Sequence, residues 1–182
     1  MLKSKKLGFL GAGNMAEAII KGLLSASFIE AKSILAADPV RARLDVLRHD
    51  YKIKVTEDNR EVAEKCDIVV LAVKPQMAGK VLNEVHDLMD RGKLLISIAA
   101  GITIGAMEGI LNAGNKKAAV VRTMPNTPAL VQEAATAIAS GSHVTQEETR
   151  IAHRIFEAVG KTVDVDEDLL NAVTGLSGSG PA

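Results

Sequence analysis

The chain has 182 residues, a length that fits one large domain or one domain and part of a second. Its 22 Lys and Arg balance its 22 Asp and Glu, so no charge excess directs it to nucleic acid or to an anionic membrane, and a small molecule is the expected partner. Its one cysteine, Cys66, excludes an intrachain disulfide and is expected to pack as a small apolar side chain. We find neither a signal peptide nor an apolar run of membrane-spanning length, and therefore expect a cytoplasmic protein.

Apolar runs of strand length alternate with helical periodicity from Leu7 to about Asp166, which predicts repeated strand and helix units. Hydrophobic residues make up 47% of the chain and aromatic residues only 2%, as is typical of parallel strands buried between helices. The predicted strands cover residues 7–10, 33–37, 52–55, 68–73, 94–99, 119–123, 135–139 and 162–165. Helices are predicted between them, and the spacing of Thr145 and Glu148 predicts a capping box at the start of one.

A glycine-rich turn follows the first predicted strand and opens the first predicted helix. Gly11, Gly13 and Ala16 match the G-x-G-x-x-G/A fingerprint of a dinucleotide-binding unit. The first glycine permits the tight turn, the second lets the backbone approach a pyrophosphate, and the alanine allows close packing of helix on strand. The predicted fold class is therefore a Rossmann-type, doubly wound α/β fold with a mostly parallel sheet. The pyrophosphate of a nicotinamide cofactor is expected against the backbone of Leu10, Gly11, Ala12, Gly13, Asn14 and Met15.

The end of the second predicted strand carries groups that bear on the form of the cofactor. Asp38 stands where the fingerprint expects an acid on the ribose hydroxyls, which favours NAD(H). Arg41 and Arg43 follow closely and would instead suit the 2′-phosphate of NADP(H), with Asp38 turned away. At least one of these arginines is expected to lie on a solvated helix face. The sequence leaves NADP(H) and NAD(H) both open.

Three further turns follow the carboxyl ends of predicted strands, where ligands bind in open α/β sheets. The first turn includes Lys74, which would be a solvated surface charge if it bound no cofactor. The second offers small residues, Ala99 and Ala100, that let a flat ring approach. The third would otherwise be a rigid loop built on prolines. The candidate cofactor contacts in these turns are Ala72, Val73, Lys74, Pro75, Ala99, Ala100, Met124, Pro125 and Asn126.

These turns, taken together, resemble those of the N-terminal domain of pyrroline-5-carboxylate reductases, and the resemblance runs the whole length of the chain. It rests on residues 11–16, 72–75, 98–103, 124–128 and 172–182, of which the last set is the most specific. The resemblance implies an NAD(P)-binding Rossmann domain over residues 1–166. It also implies that residues 167–182 begin a C-terminal helical domain that builds a homodimer or higher homo-oligomer and completes the substrate pocket. Because that domain is missing here, we expect the chain alone to be inactive.

The resemblance also implies roles for single residues. Asn59 joins the cofactor contacts already named, and Glu167 borders the substrate. Asp38 departs from the small hydroxyl residue often found there in NADPH-preferring members of the family. Glu167 is the one carboxylate expected near the imine, where its negative charge would favour the protonated form. From the residues alone, Glu167 is equally well explained as a charge at a helix N-terminus. The remaining implied substrate contacts are Ser177, Gly178, Ser179 and Gly180.

The reaction implied by the resemblance is the NAD(P)H-dependent reduction of 1-pyrroline-5-carboxylate to L-proline, the last step of proline biosynthesis. It needs no metal, and no residue of the chain stands out as a catalytic acid or base, since the four histidines are expected on the surface. Two other interpretations stay open. The chain could belong to another two-domain dehydrogenase, of the β-hydroxy acid type, or it could be a nucleotide-sensing module that turns over no substrate.

Overall fold

The computed structural model describes residues 2–112 and 117–178. Within them, eight strands form one sheet, and their bounds are β1 (Leu7–Leu10), β2 (Ile34–Ala37), β3 (Lys54–Thr56), β4 (Ile68–Leu71), β5 (Leu94–Ser97), β6 (Ala119–Met124), β7 (Ala134–Ser140) and β8 (Gly160–Asp164). The helices are α1 (Asn14–Ser25), α2 (Arg41–Tyr51), α3 (Asn59–Lys65), α4 (Pro75–Val85), α5 (Ile104–Leu111), α6 (Gln146–Glu157) and α7 (Leu170–Val173). In this part of the chain, no helix is long and apolar enough to cross a membrane.

The sheet has the strand order β3-β2-β1-β4-β5-β6-β7-β8. Every neighbouring pair is parallel except β6 and β7, which are antiparallel. The chain builds outward from β1 to β3, then crosses back to place β4 on the other side of β1. This reversal is the topological switch point at which doubly wound sheets bind ligands. The predicted fold class is confirmed.

Helices cover both faces of the sheet and give the protein two apolar cores. Phe9 of β1 packs in one core with side chains from α1, α2 and α6, such as Ile19 and Phe156. Leu10, the next residue of β1, points to the opposite face and packs with α3, α4 and α5. All four residues of β1 are buried because both faces are covered, which explains why its sequence is apolar without alternation.

The ends of the elements differ from the predicted ones by a few residues. Lys52 adopts a left-handed backbone (φ 56°) that ends α2, so β3 starts at Lys54 rather than at residue 52. The strand predicted over residues 68–73 ends at Leu71. The capping box of Thr145 and Glu148 at the start of α6 is confirmed. Cys66 is buried as expected, and this burial raises the pKa of its thiol to about 11.

Candidate cofactor site

A cleft of about 470 Å³ lies at the carboxyl ends of β1, β2 and β4, beside the switch point. Of the residues predicted to contact a cofactor, it brings together Gly11, Gly13, Asp38, Asn59, Ala72, Val73 and Lys74. Its far wall comes from α4 through Met77, Lys80 and Glu84, which the sequence analysis did not identify. Their three- and four-residue spacing marks one face of a helix, so the signal was present in the sequence.

Gly11 makes the turn that leads the chain from β1 into the cleft. Its φ of +101° is strained for any residue with a Cβ, and a Cβ placed on it would lie 2.6 Å from the carbonyl oxygen of Ala72. Its N–H donates to the carbonyl of Ala37 at 2.8 Å. Gly11 is therefore required by the fold itself, because the turn passes directly over the end of β4.

Gly13 lies at the N-cap of α1 and is a glycine for a different reason. Its φ of −71° suits any residue, and a Cβ there would meet no heavy atom within 4 Å. No side chain caps this end of α1, and the first N–H groups of a helix have no partner within it. The space above Gly13 thus stays open next to backbone donors and the positive end of a helix dipole, the arrangement that receives a phosphate.

Asp38 is fixed at the end of β2, on the wall of the cleft. Its Oδ2 accepts from the N–H of Ala12 at 2.8 Å, and its Oδ1 accepts from the N–H of Val40 at 2.8 Å. The side chain of Ala12 is fully buried, and its N–H is already used, so this residue offers a cofactor little contact of its own. The carboxylate of Asp38 is held in place by the backbone on either side of it.

The two arginines near Asp38 have different environments. Arg41 lies exposed at the first position of α2. Arg43 instead donates from Nε to the carbonyl of Ala12 at 3.0 Å and from Nη2 to Glu17 at 2.6 Å. Tyr51 donates to the other oxygen of Glu17 at 3.0 Å, and burial, together with this bond, raises the pKa of Tyr51.

Asn59 reaches the cleft from the first turn of α3. Its Nδ2 donates to Glu84 on α4 at 2.9 Å. The next residue, Arg60, donates to both carboxylate oxygens of Asp87 at 2.7 Å each, and this pairing lowers the pKa of Asp87 to about 2. These bonds fix α3 against the α4 segment and so set the width of the cleft at this end.

The other candidate contacts lie outside this cleft or at its edge. Lys74 is the N-cap of α4 and Pro75 its first residue. Asn126 accepts from the N–H of Ala135 at 2.9 Å, which gives it a structural role at the start of β7. The remaining candidates do not line the cleft: Leu10, Ala99 and Pro125 are buried, Asn14 is exposed, and Met15, Ala100 and Met124 are partly buried.

Glu167 lies in a cluster that the sequence analysis missed. Its Oε1 accepts from Nη1 of Arg122 at 3.0 Å and from the N–H of Ile104, the first residue of α5, at 2.7 Å. Nη2 of Arg122 donates to Asn171 at 3.2 Å. The carboxylate therefore lies at a helix N-terminus, but at that of α5 rather than of the helix that follows Glu167. No sequence pattern indicated this role for Arg122, because the residue lies within the run that predicts β6.

Beyond Glu167, the described chain ends in a single turn of π-helix over Thr174–Gly178. Ser177 donates to the carbonyl of Val173 at 3.1 Å, and a Cβ on Gly178 would lie 2.7 Å from Cε of Met124. Gly178 thus lies against the last residue of β6. Ser179 and Gly180 lie outside the described residues.

Two histidines, His86 and His153, are only partly exposed, whereas all four were expected on the surface. The side chain of His153 on α6 is only 21% exposed, and its ring nitrogens lie 2.7 Å from Thr162 Oγ1 and 2.8 Å from Asp164 Oδ1. Alternate residues of β8 face α6, which explains how both partners reach one ring. His153 is far in sequence and topology from the cleft, and it ties an outer strand to its helix.

Comparisons with known proteins agree with this fold. A family model described as NADP oxidoreductase, coenzyme F420-dependent, matches residues 6–101. The pyrroline-5-carboxylate reductase of Methanosarcina acetivorans is 42% identical over 181 residues, which cover 100% of this chain and 66% of the relative. A solved pyrroline-5-carboxylate reductase from Coxiella burnetii superimposes with a TM-score of 0.92 at 34% identity, over 98% of this chain and 66% of that one.

A second solved structure, the Plasmodium falciparum pyrroline carboxylate reductase with NADP bound, has a TM-score of 0.87 at 32% identity. The match covers 100% of this chain and 65% of that one. The chain thus spans between 55% and 66% of the length of these curated relatives. The resemblance inferred from the sequence motifs is confirmed.

Proposed function

The chain belongs to the coenzyme F420-dependent NADP oxidoreductase family, and from this we propose that it is the cofactor-binding part of an NAD(P)H-dependent pyrroline-5-carboxylate reductase. Its substrate would be 1-pyrroline-5-carboxylate and its product L-proline. The relatives that carry this name match the whole chain and not only the glycine motif. This breadth favours the proposal over a β-hydroxy acid dehydrogenase or a nucleotide sensor.

The open space above Gly13 is the single observation that carries the cofactor assignment. Neither the backbone angles nor any protein contact requires a glycine at this position. Other glycines, such as Gly109, are as free of contacts, but Gly13 lies in the cleft at the uncapped N-terminus of a helix, where a glycine lets the pyrophosphate of a dinucleotide approach the backbone closely. The residues present therefore fit the cofactor, with Gly13, Asn14 and Met15 toward its phosphates and Asp38 toward its ribose.

When bound, a reduced nicotinamide cofactor supplies a hydride to the C=N carbon of the imine. The task of this chain is to hold the two rings in a fixed relation, because orientation can supply much of the rate. The small residues Ala99 and Ala100 after β5, and the turn of Met124, Pro125 and Asn126 after β6, flank the region into which the ring would extend from the cleft.

We also propose that Glu167 and Ser177 border the substrate, with Gly178, Ser179 and Gly180 beside them. Arg122 and the N-terminus of α5 hold the carboxylate of Glu167 in place and offset much of its charge. A carboxylate compensated in this way orients a neighbour better than it stabilises a cationic imine. We therefore assign Glu167 an orienting role at the edge of the pocket.

A helical domain that begins at residue 167 would complete the pocket and form the dimer. Support comes from the surface at this end of the chain, where Leu169 is 52% exposed and Leu176 is 81% exposed. Leu170, between them, is fully buried in the second core with side chains of α5, so the segment is anchored to the Rossmann domain at this point. Exposed leucines of this kind are typical of surfaces that another segment or subunit covers. We further propose a cytoplasmic location, as the sequence predicts.

A glycine-to-alanine pair tests the cofactor site. The variant Gly13→Ala fills the open space and should weaken NADH and NADPH binding at least about tenfold, with no loss of thermal stability. Gly109→Ala is the matched control, since its Cβ also meets nothing within 4 Å but lies on α5, away from the cleft. It should leave binding unchanged. Unchanged binding in the Gly13 variant would refute the assignment.

The reaction itself is tested with a full-length protein that contains this chain. Mixed with 1-pyrroline-5-carboxylate and NADH or NADPH, it should oxidise the cofactor and form proline, while the 182-residue chain alone should bind the cofactor with little or no turnover. Cofactor oxidation with a β-hydroxy acid partner and none with the imine would overturn the proposed substrate. Binding with no turnover of any imine would favour a sensor.

A further inference from the structure

An anion and a cation are attached to opposite sides of one residue in the glycine motif. The N–H of Ala12 donates to Asp38 at 2.8 Å, and the carbonyl of Ala12 accepts from Arg43 at 3.0 Å. The carboxylate lines the cleft where the ribose of a dinucleotide is expected. The guanidinium and the carboxylate are therefore both bound to the backbone of Ala12, although Arg43 does not itself line the cleft.

Arg43 already forms an ion pair within the protein. Glu17 accepts from its Nη2 at 2.6 Å, with the two side chains 31% and 26% exposed, so water screens this pair only in part. Tyr51 holds the other oxygen of Glu17 at 3.0 Å. The carboxylate of Glu17 is thus fixed at both of its oxygens, and it holds Arg43 down against α1 rather than out toward the cleft.

We infer that this chain takes NADH in preference to NADPH and that Glu17 is a residue that determines this specificity, because it pairs with Arg43 and keeps that guanidinium from a phosphate near Asp38. The inference rests on the proposed cofactor function. A 2′-phosphate would meet the negative charge of Asp38 while the guanidinium of Arg43 stays paired with Glu17, whereas the 2′-hydroxyl of NADH can donate to the Asp38 carboxylate.

The other charges of the cleft do not reverse this balance. Among its lining residues are three carboxylates, Asp38, Glu57 and Glu84, and two lysines, Lys74 and Lys80. Both lysines come from the β4 and α4 side, across the cleft from the end of β2. The remaining arginine close to Asp38 in sequence, Arg41, is exposed at the start of α2 and does not line the cleft, and a 2′-phosphate bound by it would give the opposite preference.

The test is to titrate the 182-residue chain with NADH and with NADPH and to follow the fluorescence of the reduced cofactor. The unmodified chain should bind NADH at least about tenfold more tightly, the factor expected for one charge-assisted hydrogen bond gained or lost. Equal or tighter binding of NADPH would overturn the inference alone. Failure to bind either cofactor would overturn the proposed function and the inference with it.

Substitution of Glu17 tests the mechanism. Glu17→Gln keeps an acceptor for Tyr51 but frees the charge of Arg43, so NADPH binding should tighten about fivefold to tenfold while NADH binding changes less than about twofold. The double variant Glu17→Gln/Arg43→Gln should return to the original preference. Glu61→Gln, which removes one carboxylate from a separate ion pair with Lys65 on α3, is the matched control and should change neither affinity.

These variants also separate a specificity role from a purely structural one. If Glu17 served only to join α1 to α2, Glu17→Gln would weaken both cofactors to the same degree and the double variant would not restore the preference. Either result would overturn the inference. A thermal melt of each variant verifies that the comparison is made between folded proteins.

Discussion

Replacing Arg122 by methionine should destabilise the fold markedly, although this residue lies outside the cofactor cleft. Its side chain is 4% exposed, and its guanidinium donates to Glu167 at 3.0 Å and to Asn171 at 3.2 Å. Methionine has a similar length and fills much of the same space without charge. The substitution therefore leaves the carboxylate of Glu167 with the N–H of Ile104 but without its guanidinium.

The expected cost follows from the burial of the two partners. Breaking a fully buried ion pair costs about 3–5 kcal/mol, because the remaining charge is left without a partner. Glu167 is 30% exposed, so water can solvate its carboxylate in part, and we reduce the expected loss to about 2 kcal/mol. Arg122→Lys should recover only part of it, since an ammonium does not reproduce the planar fork that reaches two acceptors.

Urea unfolding of the 182-residue chain measures this loss. Arg48→Met is the matched control, because Arg48 pairs with Asp45 at 3.6 Å with both side chains about 60% exposed, and it should cost less than about 0.5 kcal/mol. If Arg122→Met cost no more than this control, the cluster would not anchor the segment that begins at Glu167. Faster proteolysis within residues 167–178 of the Arg122 variant would show that the loss begins with release of that segment.

Three other outcomes follow from single contacts. Gly11→Ala should lower the free energy of unfolding by at least about 2 kcal/mol in a thermal or urea melt, because it adds strain at a positive φ and a clash with Ala72. The Cys66 thiol, with a pKa raised by burial from 9.0 to about 11, should react with iodoacetamide at pH 8 at least about a hundredfold more slowly in the folded chain than in urea. Because the unfolded thiol ionises first, stability should also fall as the pH rises above 9. Thr145→Ala should cost about 1 kcal/mol in urea unfolding, since it removes the cap shared with Glu148.

The features that the sequence predicted best are those encoded by neighbouring residues. The turn at Gly11, the acid at Asp38 and the capping box at Thr145 each depend on a few adjacent positions, and apolar runs locate the buried strands. Strand ends were less accurate, as at Leu71, because an apolar run continues past the last residue that pairs in the sheet. Apolar patterns indicate which residues are buried, and buried residues continue past the last one that hydrogen-bonds within the sheet.

The ion pairs could not be predicted in the same way. Glu17 and Arg43 are 26 residues apart, and Arg122 and Glu167 are 45 apart, so each pair forms only when the sheet order brings two elements together. In the sequence, each of these residues reads as an ordinary charge on a helix or at the end of a strand. Their pairing decides which charges remain available to a ligand. The sequence alone therefore could not distinguish NAD(H) from NADP(H) as the cofactor.

The residues of the glycine motif have different roles, which the motif pattern alone does not show. At Ala12 both the N–H and the carbonyl are used within the protein, by Asp38 and Arg43. The N–H of Gly11 is likewise used, by Ala37. The first half of the motif thus builds the turn, and the backbone donors left for an anion begin at Gly13, where the space is open. A phosphate at this turn would therefore be held from the start of α1 and not from the end of β1.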